Sequence, residues 1–437
     1  MAELETRTIR KVMWRLLPFL MLCYVVAFID RVNVGFAHLQ MNASLGLSEV
    51  AYGFGAGIFF IGYFLVEVPS NVLLERFGAR IWIARIMLSW GLVSISFGFI
   101  PQISSLAGLS AESCFYGLRF ALGVCEAGFY PGVVFYLTRW FPAEYRARVI
   151  AFFMLAVPVS QVIGAPLSGL LLNVTGLGLQ GWQWLFILEG VPSVLLSVAV
   201  LLYLTDFPRG ALWLGKDEID WLETRIAQQQ ARTAKGGHSG LVKMMLDIRI
   251  LMCAFANFSM QGATYSITLF LPALVLQLGY SNTQTGFILA FPPFIAAIGM
   301  VLFSRHSDRT GEREFHVAAA LLMLAIGIAG GALLENSIMR LLFFTLANIG
   351  SASLGPMLYP IPTGFLSKSM AAAGIAAISS LGALGGFAGP YLFGYVKSLT
   401  GGATVSLLLM AGLALAGALV AASLRVVKPQ IRLESVK

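Results

Sequence analysis

Twelve stretches of this chain are so long and so apolar that a lipid bilayer is the natural solvent for them. They fall near 16–37, 52–74, 81–101, 113–138, 149–172 and 183–205. After a polar interval they recur near 249–276, 285–304, 316–334, 338–360, 371–396 and 402–424. About 20 apolar residues span the hydrocarbon core as a helix. Barrel strands are short and alternating, whereas these runs are continuous, so each reads as a transmembrane helix with its backbone groups satisfied internally. Only 11% of the 437 residues are charged, and the mean hydropathy is +0.82. A soluble domain carries about 25% charge, so a string of soluble globules is excluded. The first run lacks a small-residue cleavage site and is expected to be retained as a span. The expectation is an all-α, multi-pass protein of the cell membrane.

Charge then orients the spans. The net charge of +8 could suggest a nucleic-acid partner, but the basic residues cluster in alternate intervals. Arg7, Arg10, Lys11 and Arg15 lie at the N-terminus. Arg76 and Arg80 follow the second run, with Arg85 just inside the third, and Arg139, Arg146 and Arg148 follow the fourth. Arg209, Lys216, Arg225, Arg232, Lys235, Lys243 and Arg249 fill the polar interval. Arg305, Arg309 and Arg313 follow the eighth run, and Lys368 follows the tenth. The intervening loops carry only Arg340 and Lys397. By the positive-inside rule both termini are cytoplasmic, and the basic balance reports topology, with the lipid bilayer as partner and no nucleic acid. The polar interval divides the chain into an N-terminal six-helix bundle (1–205), a cytoplasmic linker (206–246) and a C-terminal six-helix bundle with its tail (247–437). Within the linker, 216–230 has Ile219, Leu222 and Ile226 on one helical face and reads as a solvated amphipathic helix.

The two halves repeat a motif. Glu75-Arg76-Phe77-Gly78-Ala79-Arg80 follows the second run, and Asp308-Arg309-Thr310-Gly311-Glu312-Arg313 follows the eighth. Both read acid-Arg-x-Gly-x-Arg at equivalent places, which points to duplication. Glu75, Arg76, Gly78 and Arg80, with Asp308, Arg309, Gly311 and Arg313, are the candidate gating residues. The glycine permits a tight turn, and the charges can cluster across helix ends in one conformation and part in another. Twelve helices, the six-plus-six division and this paired motif together resemble the major facilitator superfamily. The resemblance implies two pseudo-symmetric six-helix bundles and transport by alternating access. Asn71 and Ser304 stand where the family motif usually opens with glycine, and Glu75 replaces the commoner Asp.

Charges inside apolar runs are costly and mark function. Asp30 and Arg31 lie in the first run, Arg119 and Glu126 in the fourth, Glu67 in the second and Glu189 in the sixth. Arg119 and Glu126 are two turns apart on one face, about 10 Å along the axis. Asp30 and Arg31 point about 100° apart, so one can pair within the bundle while the other faces a cavity. Two acids and two bases form a formally neutral quartet that a proton or an anion can perturb. Glu67 and Glu189 are expected to be packing contacts. Gly128, Pro131 and Gly132, then Pro158, Gly164 and Pro166, then Gly389 and Pro390, interrupt their helices and supply either pliable contacts or ordinary membrane packing.

Phe28-Ile29-Asp30-Arg31-Val32-Asn33, Arg119-x6-Glu126, Gly181-Trp182-Gln183-Trp184 and Gly385-Gly386-Phe387-Ala388-Gly389-Pro390 resemble the anion:cation symporter family of that superfamily. The resemblance implies import of an organic anion such as tartrate, a sugar acid or phthalate, generally with protons as coupling ion and no other cofactor. It implies Asp30 and Glu126 as proton-coupling sites. Arg31 and Arg119 become their partners and substrate-binding groups, and Tyr63 and Gln161 match substrate-contacting positions. Phe28 stands where relatives often have Tyr or Asn, and Ser379 and Ala383 lie where many carry Asn. Those departures favour a small or aromatic carboxylate. Chemically, a guanidinium fork matches a carboxylate, and a glutamine amide offers both donor and acceptor to hydroxyls.

Other classes fit less well. Cys23, Cys114, Cys125 and Cys253 lie in or beside apolar runs without metal-ligand spacing, and His38, His238, His306 and His316 sit in loops or at helix edges. No metal centre, disulfide framework or nucleophile–base set is expected, which argues against an enzyme. The linker is too short for a sensor domain. An anion exchanger or facilitator on the same fold stays open as the alternative to symport, and a monomer is the expected state.

Overall fold

The computed structural model describes residues 2–233, 244–366 and 368–426. Lys235, Lys243 and the tail from residue 427 lie outside the described residues. Twelve helices are long and apolar enough to cross a membrane. In chain order α1 to α6 are Glu3–Leu45, Glu49–Phe77, Ala79–Phe97, Ala111–Thr138, Ala143–Leu171 and Gly181–Tyr203. Then α7 to α12 are Ile248–Leu276, Asn282–Thr310, Arg313–Leu333, Ser337–Gly364, Ala373–Thr400 and Ala403–Ser423. The expected number of spans is found. The apolar run near 16–37 marks only part of α1, because its first turns continue as a polar helix outside the run.

The described residues divide into two compact units. One comprises residues 1–37 and 61–236, the other 38–60 and 237–437. Within the first, glycines let helix backbones approach. A Cβ on Gly62 of α2 would lie 2.5 Å from the Phe120 carbonyl of α4, and one on Gly91 of α3 would lie 2.9 Å from Ser193 Cβ of α6. Within the second, Gly385 and Gly389 of α11 press on Phe258 and Gly262 of α7, so the glycine run of α11 is a packing seam. Polar caps close several helix ends. Gln180 and Gln183 form a capping box on α6, Ser281 and Gln284 one on α8, and Asp247 caps α7.

Two spans are broken, and the breaks position the site. In α1 the helical ladder is interrupted at Asn33, between Ala2–Val32 and Val34–Leu45. In α4 it stops at Glu126 and restarts at Phe129. Gly128 adopts φ +90°, and a Cβ there would meet Ser70 Oγ at 2.3 Å, so no larger residue fits. The break frees the Ala127 carbonyl, which accepts from Ser70 Oγ at 2.7 Å; Trp82 Nε1 in turn donates to Ser70 Oγ at 3.0 Å. Irregular backbone at membrane depth survives where side chains satisfy it in this way.

The linker helix, Lys216–Thr233, is docked rather than solvated. Leu222 and Ile226 are buried, and Glu218 accepts from Arg7 Nε at 3.1 Å and Lys11 Nζ at 2.9 Å on the first turns of α1. The amphipathic pattern was correct in period; its apolar face finds protein where solvent was expected.

Candidate functional site

Asp30 and Arg31 lie just before the break in α1, Glu126 lies at the break in α4, and Arg119 lies two turns before it. With Phe28, Tyr63 and Gln161 they all belong to the first unit. The four charges do not form one quartet. Arg31 and Glu126 form an ion pair: Arg31 Nε donates to Glu126 Oε1 at 2.9 Å, and Nη2 donates to the same oxygen. The Arg31 side chain is 12% exposed and that of Glu126 2%. Arg119 is buried and close enough to attract the same carboxylate. Asp30 turns away, as its 100° offset from Arg31 requires. It is 1% exposed and is held by hydrogen-bond donors instead of a cation. Trp90 Nε1 and Ser94 Oγ of α3 donate at 2.7 and 2.8 Å, and Ser193 Oγ of α6 donates at 2.8 Å. Asn33 Nδ2 stands at 3.5 Å.

The approach to Arg31 is aromatic. Its guanidinium carbon lies 5.3 Å from the Phe28 ring centroid and 5.5 Å from that of Tyr63. Tyr24, one turn before Phe28, continues this wall onto Phe153, with ring centroids 4.9 Å apart and nearly parallel, and onto Tyr130 at 6.0 Å. Glu67 is half-buried one turn beyond Tyr63 on α2 and within electrostatic reach of Arg31, so this guanidinium faces two acids. Gln161 is half-buried on α5. Ser379 is half-buried on α11 and belongs to the second unit.

The paired motif adopts two local structures. After α2, Gly78 has φ +90° and the Arg80 backbone N–H donates to Asp206 at 2.9 Å, so the turn is docked on the end of α6, while Glu75 and Arg76 are exposed. After α8, Gly311 has φ +70°, Asp308 pairs with Arg313 at 3.7 Å, and Arg425 pairs with Glu312 at 2.7 Å; Arg309 is exposed. The glycine turn is shared and the charge pairing is not.

Sequence reasoning missed Trp90, Ser94 and Ser193, which hold Asp30, and Ser70, which holds the α4 break. Trp90 and Ser94 sit four apart on one helix face, the single signal that could have flagged them. Among the described residues no group of three or more His, Cys, Asp or Glu side chains could hold a metal.

Comparisons with known proteins identify the family. The model of the Major Facilitator Superfamily matches residues 20–390 and 251–435. A candidate tartrate transporter of Agrobacterium vitis is 48% identical over 96% of this chain and 95% of its own length. A quinolone resistance transporter of Acinetobacter baumannii is 38% identical over 91% of this chain and 90% of its own. Among solved structures, the inward-open xylose transporter of E. coli superposes with a TM-score of 0.75 at 15% identity, covering 94% of this chain and 95% of that one.

Proposed function

We propose, from the premise that this chain belongs to the major facilitator superfamily and is a multi-pass membrane transporter rather than an enzyme, that it imports an organic carboxylate by proton symport. The observation that carries this reading is the Arg31–Glu126 pair at the paired helix breaks. One guanidinium cannot serve two carboxylates equally. While Glu126 is ionised it occupies Arg31. When Glu126 takes a proton, Arg31 is released to offer its fork to a substrate carboxylate. Proton and anion are thereby linked, each favouring the other's binding by the same factor. Asp30 is the second proton-coupling site, beside the pair but outside it. Arg119 keeps a positive charge near the pair in both states.

The aromatic wall of Tyr24, Phe28 and Tyr63 beside Arg31 supports a small or aromatic carboxylate over a heavily hydroxylated sugar acid. Tyr63 and Gln161 are the polar groups of the first unit proposed to orient it, and Ser379 of the second unit is proposed by itself as a substrate-binding residue. The repeated glycine turns, with Glu75, Arg76, Gly78 and Arg80 and then Asp308, Arg309, Gly311 and Arg313, are proposed to gate alternating access.

The test is uptake into proteoliposomes with an imposed pH gradient, using tartrate, phthalate and hydroxyphenylacetate. E126Q is expected to abolish gradient-driven accumulation and to retain counterflow, because a neutral residue leaves Arg31 available at every pH. Accumulation that survives in E126Q refutes Glu126 as the coupling group. Uptake indifferent to the gradient but dependent on an internal anion would make the protein an exchanger.

A further inference from the structure

Glu189, like Glu67, is an intramembrane acid that the transport reading leaves unused. It lies on α6 and is 3% exposed. Its Oε1 accepts from Ser168 Oγ of α5 at 2.7 Å. Its Oε2 is buried with no hydrogen-bond partner among the described residues. The polar groups that face it are Ser168, Asn33 and Asp30, the latter two from α1. From α3 the neighbours are apolar, with Ile95 and the Gly91 backbone packed on the adjacent Gly190. The one titratable group among these is another acid.

Asp30 and Glu189 are therefore neighbours with opposite needs. Asp30 is ringed by donors, one of them an indole N–H that can only donate. Its neighbours solvate an anion. Glu189 has one close donor, the Ser168 hydroxyl, with the Asn33 amide as its other hydrogen-bonding neighbour, and Asn33 Oδ1 is itself buried without a partner among the described residues. This side of the cluster is short of hydrogens. An ionised carboxylate there would leave a charge uncompensated in the bundle interior, which is far costlier than carrying a proton. Two like charges this close also oppose each other.

We propose that Glu189 is a proton-binding site, coupled to Asp30 across Asn33 and contained within the first unit. A proton on Glu189 removes the uncompensated charge and supplies a donor where two buried acceptors lack one. The two acids then titrate as a pair, so the proton load of Asp30 depends on that of Glu189. This deepens the proton-coupled reading by giving Asp30 a partner that neither arginine supplies.

The experiment is infrared difference spectroscopy of the purified protein in lipid, between acid and alkaline pH, with no substrate present. The expected result is a buried protonated-carboxyl band that disappears in E189Q. In S168A the band persists at a shifted frequency, because the hydrogen bond to Oε1 is gone. D30N changes the pH at which the band bleaches. A correctly folded E189Q with the wild-type band, or an S168A band at the wild-type frequency, overturns the assignment. A bleaching pH unchanged in D30N overturns the coupling. If E189Q does not fold, S168A decides alone, since it keeps the acid. The spectra report Glu189 whatever drives transport. Uptake that ignores a pH gradient would sink the symport reading and leave this one standing.

Discussion

A guanidinium at membrane depth needs an answer from its surroundings, and Arg31 has one in Glu126, 95 positions away. The fork geometry is the specific element. A lysine keeps the charge but presents a point donor. R31K is expected to raise KM for the carboxylate by about tenfold, equivalent to about 1.4 kcal/mol, with a smaller change in kcat, measured as initial uptake in proteoliposomes. An unchanged KM would place substrate recognition elsewhere. The charged residues were legible in the sequence because ionisable groups stand out in apolar runs. Their pairing was not. The 100° offset between Asp30 and Arg31 suggested that one pairs and the other faces a cavity; instead Arg31 pairs with Glu126 and Asp30 is buried among hydrogen-bond donors, so the quartet expected from charge balance is divided. Trp90, Ser94 and Ser193 were invisible because indoles and hydroxyls are ordinary in membrane helices, and only packing shows them converging on Asp30.

At the scale of elements, the breaks in α1 and α4 matter more than the helices they interrupt. Gly128 and Pro131 were legible as interruptions, whereas the break at Asn33 carried no glycine or proline to announce it. Gly128 tolerates no side chain for two separable reasons: a left-handed backbone, costing about 1–2 kcal/mol for another residue, and the Ser70 side chain in its space. G128A is expected to lower the thermal unfolding temperature in detergent and to reduce uptake. Adding S70G relieves the clash but also removes the hydroxyl that the Ala127 carbonyl and Trp82 use, so it should recover little of the loss. Full recovery would show that the clash alone matters. The linker helix supplies a pH test outside the membrane. Burial by itself raises the Glu218 carboxyl, but the Gly215 N–H, Lys11 and Arg7 outweigh it and hold the group below its ordinary value. A carboxyl lowered in the folded state contributes stability above its unfolded value of about 4.3 and loses it as pH falls through the folded value. Protection against hydrogen exchange across 216–233, taken relative to the intrinsic rate at each pH, should therefore be high near neutrality and fall in acid. E218Q should show the lower protection at both, by a modest factor, since exposed partners limit such pairs to about 0.2–1 kcal/mol each.

At the scale of the molecule, the compact units do not follow the two halves of the chain. The division expected at 206–246 is a feature of sequence, read from charge and the internal repeat. Residues 38–60 nevertheless pack in the second unit, and chemistry distributed along four helices explains why. Glu49 Oε1 accepts from Lys397 Nζ at 2.7 Å, and Tyr52 donates to the Leu269 carbonyl at 3.0 Å. His38 stacks on Tyr52 with centroids 4.1 Å apart and lies 3.3 Å from Glu49. The glycines Gly53 and Gly394 bring α2 onto α11. No shared repeat or spacing links these residues to one another, so sequence could not show that they form one cluster. Of these contacts within the second unit, the ion pair is the charged one that a single substitution can remove. Lys397 is 12% exposed, so its charged hydrogen bond is worth about 1.5–3 kcal/mol. K397M, which keeps the length and removes the charge, is expected to accelerate hydrogen exchange across 38–60 roughly tenfold or more. The exchanged pair E49K/K397E should restore part of the protection. It cannot restore all, because a lysine at position 49 has no carboxylate to offer His38. Exchange unaltered in K397M would mean that apolar packing and the tyrosine bond hold the segment without help from the charge.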